Sequence, residues 1–323
     1  MPLESVTVSA AAKLNLSLAV LERRPDGFHG IESLMVGVSL ADTLHVRIAT
    51  EPGIRLAVQF AGPLASPRAA VLARDVPADE TNLVVRAVTA LAAEAGLEPA
   101  LAIDLIKEIP SGAGLGGGSS DAAAALQAAA ALWNLDWPAD RLAKIGGLLG
   151  SDIPWFFAGG PAIAAGRGEH IEPVPPLVPL AAVIAMPAVS LSTGAVYKAC
   201  VPDPNRSGEA ARLAATLAGG DLAAALSLMH NALEAPARSL CPEIDRLLAD
   251  IGRAGGFAPR LTGSGSACFT LCRTLAEARG IAARLSALEH EGHPRWPAVF
   301  AVEGVSAPRS GKHPAAGHRT AAS

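Results

Sequence analysis

Lys107-Glu-Ile-Pro-Ser-Gly-Ala-Gly-Leu-Gly-Gly-Gly-Ser-Ser-Asp121 decides how the rest of this chain is read. Five of the seven residues from Gly112 to Gly118 are glycine, more than a tight turn requires. Glycine has no Cβ to hold a ligand away from the backbone, and it reaches positive φ without strain. Ala100 to Lys107, just upstream, reads as a strand; Ser119 to Trp133, just downstream, reads as an alanine-rich helix. A glycine loop that runs into a helix N-terminus brings backbone N–H groups and the positive end of the helix dipole to an anion, and a polyphosphate fits it. Ser119 and Ser120 add hydroxyls. Asp121, in the first helical turn, either holds magnesium or simply answers the dipole. Gly112, Gly114 and Gly117 also satisfy GxGxxG, but the acid at the right distance, Asp136, falls in Trp133-Asn-Leu-Asp-Trp-Pro138, a helix end and turn. A nicotinamide site therefore lacks its ribose anchor. No Gly-Lys-Ser/Thr closes the run, which excludes a Walker A loop.

Outward from the loop, residues 5 to 60 alternate apolar and polar in Val6-Thr-Val-Ser, Leu14-Asn-Leu-Ser-Leu, Thr43-Leu-His-Val-Arg-Ile and Ile54-Arg-Leu-Ala-Val, with turns at Pro25-Asp-Gly27 and Glu51-Pro-Gly53. This predicts a strand meander. Helices are expected at Asn82 to Ala95 with Thr81 as N-cap, and at Ala139 to Leu149 with a left-handed stop at Gly150. Beyond Gly159-Gly-Pro161 the pattern restarts: strands near Ala162, at Ala181 to Met186, at Pro259 to Thr262 and at Ala267 to Leu271. The helices expected there cover about 192–200, 208–235 with a break at Gly219-Gly220, and 242–253; a last helix and strand end near Val302. The mixed order in both halves predicts an α+β chain of two domains, 1–160 and 161–306, and a tail, 307–323, too rich in Ala, Pro, Gly and basic residues to order itself.

Composition narrows the partners. Half of the 323 residues are apolar but only 4% are aromatic, and the formal net charge is -4. No basic stripe is available for nucleic acid or an anionic membrane, so a small-molecule substrate is favoured. Cys200, Cys241, Cys268 and Cys272 form neither a disulfide framework nor a CxxC pair, and read as buried thiols of a reducing compartment. The sequence shows no secretory leader, and its longest apolar run, Leu177 to Leu191, is broken by Pro179 and Pro187, so a cytoplasmic location is expected. His290-Glu-Gly-His293 has the wrong spacing for a zinc helix and reads as a solvated loop.

Pro110-Ser-Gly-Ala-Gly-Leu-Gly-Gly-Gly-Ser-Ser120 resembles the phosphate-binding motif of the GHMP kinases, the superfamily of galactokinase, homoserine kinase and mevalonate kinase. Ala12-Lys-Leu-Asn-Leu16 is similar to their N-terminal motif and Leu261-Thr-Gly-Ser-Gly-Ser-Ala-Cys268 to their C-terminal glycine motif, in the right order. Arg24-Pro-Asp-Gly-Phe-His29 and Gly150-Ser-Asp-Ile-Pro-Trp155 look like the branch that phosphorylates the 2-hydroxyl of a methyl tetritol linked to cytidine diphosphate, in the non-mevalonate route to isoprenoid precursors. The resemblance implies an N-terminal ATP-binding α+β domain with a left-handed βαβ unit, a ferredoxin-like C-terminal domain, a cleft between them, and ATP with Mg2+ as phosphoryl donor.

Roles follow residue by residue. Phosphoryl transfer to an alcohol needs the γ-phosphoryl placed, its charge neutralised and the hydroxyl relieved of its proton. Asp152, on a turn between Gly150 and Pro154, is the candidate base, with an N-cap as the alternative. Lys13 lies in an apolar strand, where a charge needs a partner; the resemblance implies that it orients Asp152. Asn15 has the same strand parity and shares its face. Phe28 and His29 are implied to stack on and hydrogen-bond a cytosine ring. That aromatic is often tyrosine in the branch, and phenylalanine keeps the stacking face without the hydroxyl. Thr262 and Gly263 are expected near the substrate, as is Thr193 unless it caps a helix. Pro110, Ser111, Gly112, Ala113, Gly114, Leu115 and the run from Gly116, Gly117 and Gly118 to Ser119 and Ser120 would hold ATP. Ser119 with Asp121 would meet the metal. Two rivals remain open: a kinase of the same superfamily for homoserine or a sugar, and a non-catalytic nucleotide sensor on the same fold.

Overall fold

The computed structural model describes residues 3–73 and 76–305; the expected tail lies outside the described residues. The first half opens with β1 (Ser5–Asn15), β2 (Ala19–Arg23), β3 (His29–Ile48) and β4 (Gly53–Phe60). The meander is there, but its centre is one long strand: β3 pairs antiparallel with both β1 and β2. Two 3-10 turns, Gly62–Ala65 and Pro67–Ala73, lead to α1 (Leu83–Ala95) and β5 (Ala100–Lys107), which pairs parallel with β4 and antiparallel with β3. Two parallel strands joined across α1 make the βαβ unit. Asn82, not Thr81, caps α1: the Asn82 side chain accepts from Val84 N at 2.9 Å, while Thr81 is held by Asp79.

From β5 the chain passes through the glycine loop into α2 (Gly117–Leu132) and α3 (Ala139–Gly147). The left-handed stop expected at Gly150 is absent among the described residues: α3 ends on Leu148 in right-handed geometry, and Gly150 N still donates to Gly146 O at 3.1 Å. Alanine lets α2 lie close against its neighbours. Twelve of its residues are buried, and it packs on α1, β1 and β3. The 3-10 turn Pro154–Phe157 follows, then β6 (Ala162–Gly166) and β7 (His170–Pro173), which extend the same sheet from β3.

The remainder comprises β8 (Ala181–Met186), α4 (Thr193–Ala199), α5 (Glu209–Ala218), α6 (Leu222–Leu228), α7 (Glu234–Leu240), α8 (Glu243–Arg253), β9 (Arg260–Leu261), β10 (Cys268–Cys272), α9 (Leu275–Ser286), an exposed hairpin of β11 (Glu289–His290) and β12 (His293–Pro294), and β13 (Ala298–Val305). The helical stretch expected over 208–235 is thus divided, since Gly219-Gly220 and the segment around His230 end it twice. The strands lie in the order β13-β8-β10-β9, so the first and last of the four are neighbours and the third sits beside the first, as in a ferredoxin-like split βαβ. β8, central and flanked by α8 and α9, is buried along its whole length.

β13 also pairs with β3 through Gly304 and Val305, which makes one 11-stranded sheet of the described strands. A core cluster spans the join. Ala12, Leu14 and Leu34 of the first half meet Ile184 and Phe269 of the second, together with Ala113 and Leu115 from the glycine loop. No described helix is long and apolar enough to cross a membrane.

Candidate active site

The glycine loop is anchored from below and open above. Leu115 and Ala113 are buried at 1% and 3% exposure, and the loop bonds to both halves: Lys13 N donates to Leu115 O at 3.0 Å and Ala267 N to Ala113 O at 3.1 Å. The side chains of these two expected ATP-binding residues therefore serve the core, and only their backbone can meet a ligand. Gly112, Gly114 and Gly116 all take positive φ. At Gly114 a Cβ would stand 2.3 Å from Thr262 O, so the two glycine segments touch only because that atom is missing. Gly116 caps α2 in left-handed geometry with no side-chain acceptor, which leaves the first-turn N–H groups to face the cavity above. That cavity, about 600 Å³, is lined by Pro110 through Ser119 and by Lys107 and Asp121. Ser111 belongs to its wall but not to its cradle of amides, because Ser111 N donates to Leu72 O at 2.9 Å. That bond pins the start of the loop to the 3-10 turn Pro67–Ala73. Ser120 is buried and is not among the residues that line the cavity.

Asp121 is 3% exposed and bonds to Lys107 Nζ through Oδ2 at 2.6 Å. Lys107 also bonds to Asp42, whose other oxygen accepts from Glu108 N at 2.6 Å and Ile109 N at 2.8 Å. Two buried carboxylates on one ammonium thus tie β3, the end of β5 and the start of α2 together. Burial holds the Asp121 carboxyl well above its ordinary range, and Lys107 opposes that shift. Asp121 Oδ1 is buried without a hydrogen-bond partner.

On the other side of the loop lies a second cavity of about 730 Å³, which shares Gly112, Gly114, Gly116 and Thr193 with the first. Lys13, Asn15, Phe28, His29, Asp152 and Gly263 line it. Strand parity holds: Lys13 and Asn15 share a face of β1, with Lys13 Nζ donating to Asn15 Oδ1 at 2.6 Å and to Gly114 O at 2.8 Å. Asp152 Oδ2 stands 3.8 Å from the same nitrogen, on a half-exposed turn. Burial pulls the Lys13 ammonium below its ordinary pKa, and the Asp152 charge opposes the shift. Asn15 is fixed in turn: its Nδ2 donates to Ser33 Oγ at 2.8 Å and its backbone N to Thr262 Oγ1 at 3.0 Å. Thr262 is therefore wholly buried behind Asn15, outside the cavity wall. Thr193 is the first residue of α4 rather than its cap, which is Ser192; Thr193 Oγ1 lies 2.9 Å from Ser264 Oγ.

Phe28 and His29 follow the Arg24 to Phe28 turn, closed by Arg24 N donating to Phe28 O at 2.9 Å and by Phe28 N donating to Asp26 Oδ1 at 3.1 Å. Phe28 is 50% exposed. His29 packs on Tyr197, ring centroids 5.3 Å apart, and its Nε2 is buried without a partner. Burial and the nearby Arg23 charge lower the His29 pKa, which keeps the ring neutral. Burial, with the Asp152 charge, pushes the Tyr197 phenol up, so it stays protonated. Tyr197, the chain's only tyrosine, and the cavity-lining Arg23, Arg167 and Lys198 escaped the sequence reading. The uniqueness of Tyr197, just after the Ser190 to Gly194 loop, was the available signal; the cations were indistinguishable from surface residues.

Two family models match the chain: the GHMP kinases N terminal domain over residues 82–160 and the GHMP kinases C terminal domain over 212–290. The chain is 38% identical over 280 residues to the 4-diphosphocytidyl-2-C-methyl-D-erythritol kinase of Pelotomaculum thermopropionicum, covering 86% of this chain and 93% of that one. To the kinase of that name from Rhodopirellula baltica it is 42% identical over 287 residues, 82% of this chain and 86% of the other. A crystal structure of 4-(cytidine 5'-diphospho)-2C-methyl-D-erythritol kinase superposes with TM-score 0.70 at 33% identity, covering 93% of this chain and all of that one. Homoserine kinase from Cytophaga hutchinsonii superposes equally well, TM-score 0.72 over 95% of this chain and 96% of that one, but at 19% identity, which speaks to fold alone. The chain belongs to the 4-diphosphocytidyl-2-C-methyl-D-erythritol kinase family, within the GHMP kinases.

Proposed function

We propose that the two cavities bind ATP and 4-diphosphocytidyl-2-C-methyl-D-erythritol on either side of the glycine loop, and that the γ-phosphoryl group passes to the substrate's 2-hydroxyl where they meet. The observation that carries this reading is the placement of Lys13 and Asp152, 3.8 Å apart, beside the three glycines common to both cavities. Polyphosphate lies along Gly112 to Gly118 and the first turn of α2, so the γ-phosphoryl is delivered to that junction. Asp152 accepts the hydroxyl proton as the new O–P bond forms and the bond to the β–γ bridging oxygen breaks, releasing ADP. Lys13, pinned by Asn15 Oδ1 and Gly114 O, keeps Asp152 oriented and its charge favours the developing alkoxide.

The residues at the loop fit a magnesium ion carried in on ATP. Asp121 Oδ1 has no partner, its residue lines the ATP cavity with Ser119, and no described cluster of three or more His, Cys, Asp or Glu would hold a metal unaided. Bound there, magnesium would neutralise phosphate charge. At the far end, Phe28, His29 and Tyr197 offer two ring faces and a neutral imidazole with a free nitrogen, which suit a pyrimidine base. Purified protein supplied with MgATP and one acceptor at a time tests the reading by ADP release. Turnover with the cytidyl acceptor and none with homoserine or galactose is expected; the reverse preference would contradict it.

A further inference from the structure

The geometry points to Arg167 as a substrate-binding residue that seats the Phe28 ring and holds the substrate's diphosphate; this inference rests on the functional reading above. Arg167 sits in the turn between β6 and β7, and its guanidinium carbon lies 4.9 Å from the centroid of the Phe28 ring. Of the cations around this cavity, most are already engaged. Lys13 serves Asn15 and Gly114, Arg24 is held by Asp26 at 3.2 Å, and Arg23 reaches the carbonyls of Lys198 and Cys200 at 3.3 and 3.4 Å. Arg167 differs. Glu169 Oε1 stands 3.5 Å from its Nε, and its guanidinium donates no hydrogen bond to any described residue. Its fork is thus ion-paired with Glu169 at one edge and free of hydrogen bonds, within the cavity wall.

The turn that carries it is firm. Arg167 N donates to Glu169 Oε2 at 2.5 Å, and Gly168 is packed so that a Cβ would lie 3.6 Å from both the Ser151 carbonyl and the Ile31 side chain. Ser151 precedes Asp152, and Ile31 lies two residues beyond His29, so the Arg167 turn is seated against both the base and the aromatic corner. A guanidinium stacked on one side of Phe28 fixes the ring without needing a hydroxyl on it, and leaves the opposite face for a base. Its planar N–H groups, free of hydrogen bonds, match phosphate oxygens, which the cavity must bind if its ligand carries a diphosphate.

Arg167→Ala, Arg167→Lys and Phe28→Leu, alone and combined, test this by steady-state kinetics at several KCl concentrations. Arg167→Ala should raise KM for the cytidyl substrate roughly ten- to fiftyfold, the size of a lost charge-assisted contact, with KM for ATP and the melting temperature nearly unchanged. The KM of Arg167→Ala should also depend less on salt than that of wild type. Arg167→Lys should recover part of the loss, and Phe28→Leu should cost less in the Arg167→Ala background than in wild type. An unchanged substrate KM in Arg167→Ala, or both KM values moving together with a fall in melting temperature, would overturn the inference. If wild type turns over the cytidyl substrate and Arg167→Ala matches it, only Arg167 is reassigned; if wild type ignores that substrate, the functional reading fails and this one with it.

Discussion

Asp152 and Lys13 are brought together by a turn and a strand 139 residues apart in sequence, and their contact is where the chemistry is assigned. Asp152→Asn should lower kcat by about 10² to 10⁴ while KM for ATP stays near wild type, since only the proton acceptor is lost. Loss of ATP affinity in parallel would make Asp152 a structural or metal-side residue. His29 gives a pH prediction. Its pKa is lowered from the ordinary 6.5 by burial first and Arg23 second, so the ring takes up its proton with a midpoint below 6.5. KM for the cytidyl substrate should rise on acidification with its midpoint below pH 6.5, as an imidazole with a depressed pKa requires. A rise centred at or above that point in kinetic titrations would show that His29 is charged in the free protein. At this scale the sequence was informative where a residue broke its local pattern: a lysine in an apolar strand, an acid between a glycine and a proline. It was silent on Tyr197 and Arg167, whose place in the cavity wall arises from neighbours distant in the chain.

The strand-loop-helix element from β5 through α2 is held by two devices of different legibility. The glycines were visible, and Gly114 is the strictest: φ is +77° and a Cβ would meet Thr262 O at 2.3 Å. Gly114→Ala should therefore destabilise the fold by about 1–3 kcal/mol and weaken ATP binding, read by thermal melting and nucleotide titration. The Lys107 knot was invisible, because its three members, Asp42, Lys107 and Asp121, come from separate elements. Lys107→Met would leave two buried carboxylates without their cation, and unfolding in urea should show a loss of roughly 3–5 kcal/mol. A loss below about 1 kcal/mol would mean that the carboxylates find other partners or protonate at little cost. Ser111 gives its amide to Leu72 and Ser120 is buried, so the ends of the motif fasten the loop while its middle lines the cavity. Element boundaries erred where caps compete: Asn82 outbid Thr81 because Asp79 already held the threonine, and α2 begins at Gly117 because Gly116, not Ser119, turns the chain into the helix.

At the scale of the molecule, the α+β class and the strand-helix order were legible from periodicity, while the joining of the halves was not. Gly304 and Val305 pair with Gly37 and Val38, a contact between chain ends that no local pattern announces. That join puts the Thr262 to Gly265 segment against the glycine loop, and so places two cavities on either side of three shared glycines. The fold cannot choose the acceptor, since homoserine kinase shares it; in the proposed reading that choice falls to the aromatic corner and its cations. The most direct test is phosphorus and proton NMR of the product formed from MgATP and 4-diphosphocytidyl-2-C-methyl-D-erythritol. The account predicts a new phosphomonoester on the 2-hydroxyl with the cytidine diphosphate intact. Inorganic phosphate alone, or an ester at any other hydroxyl, would contradict it.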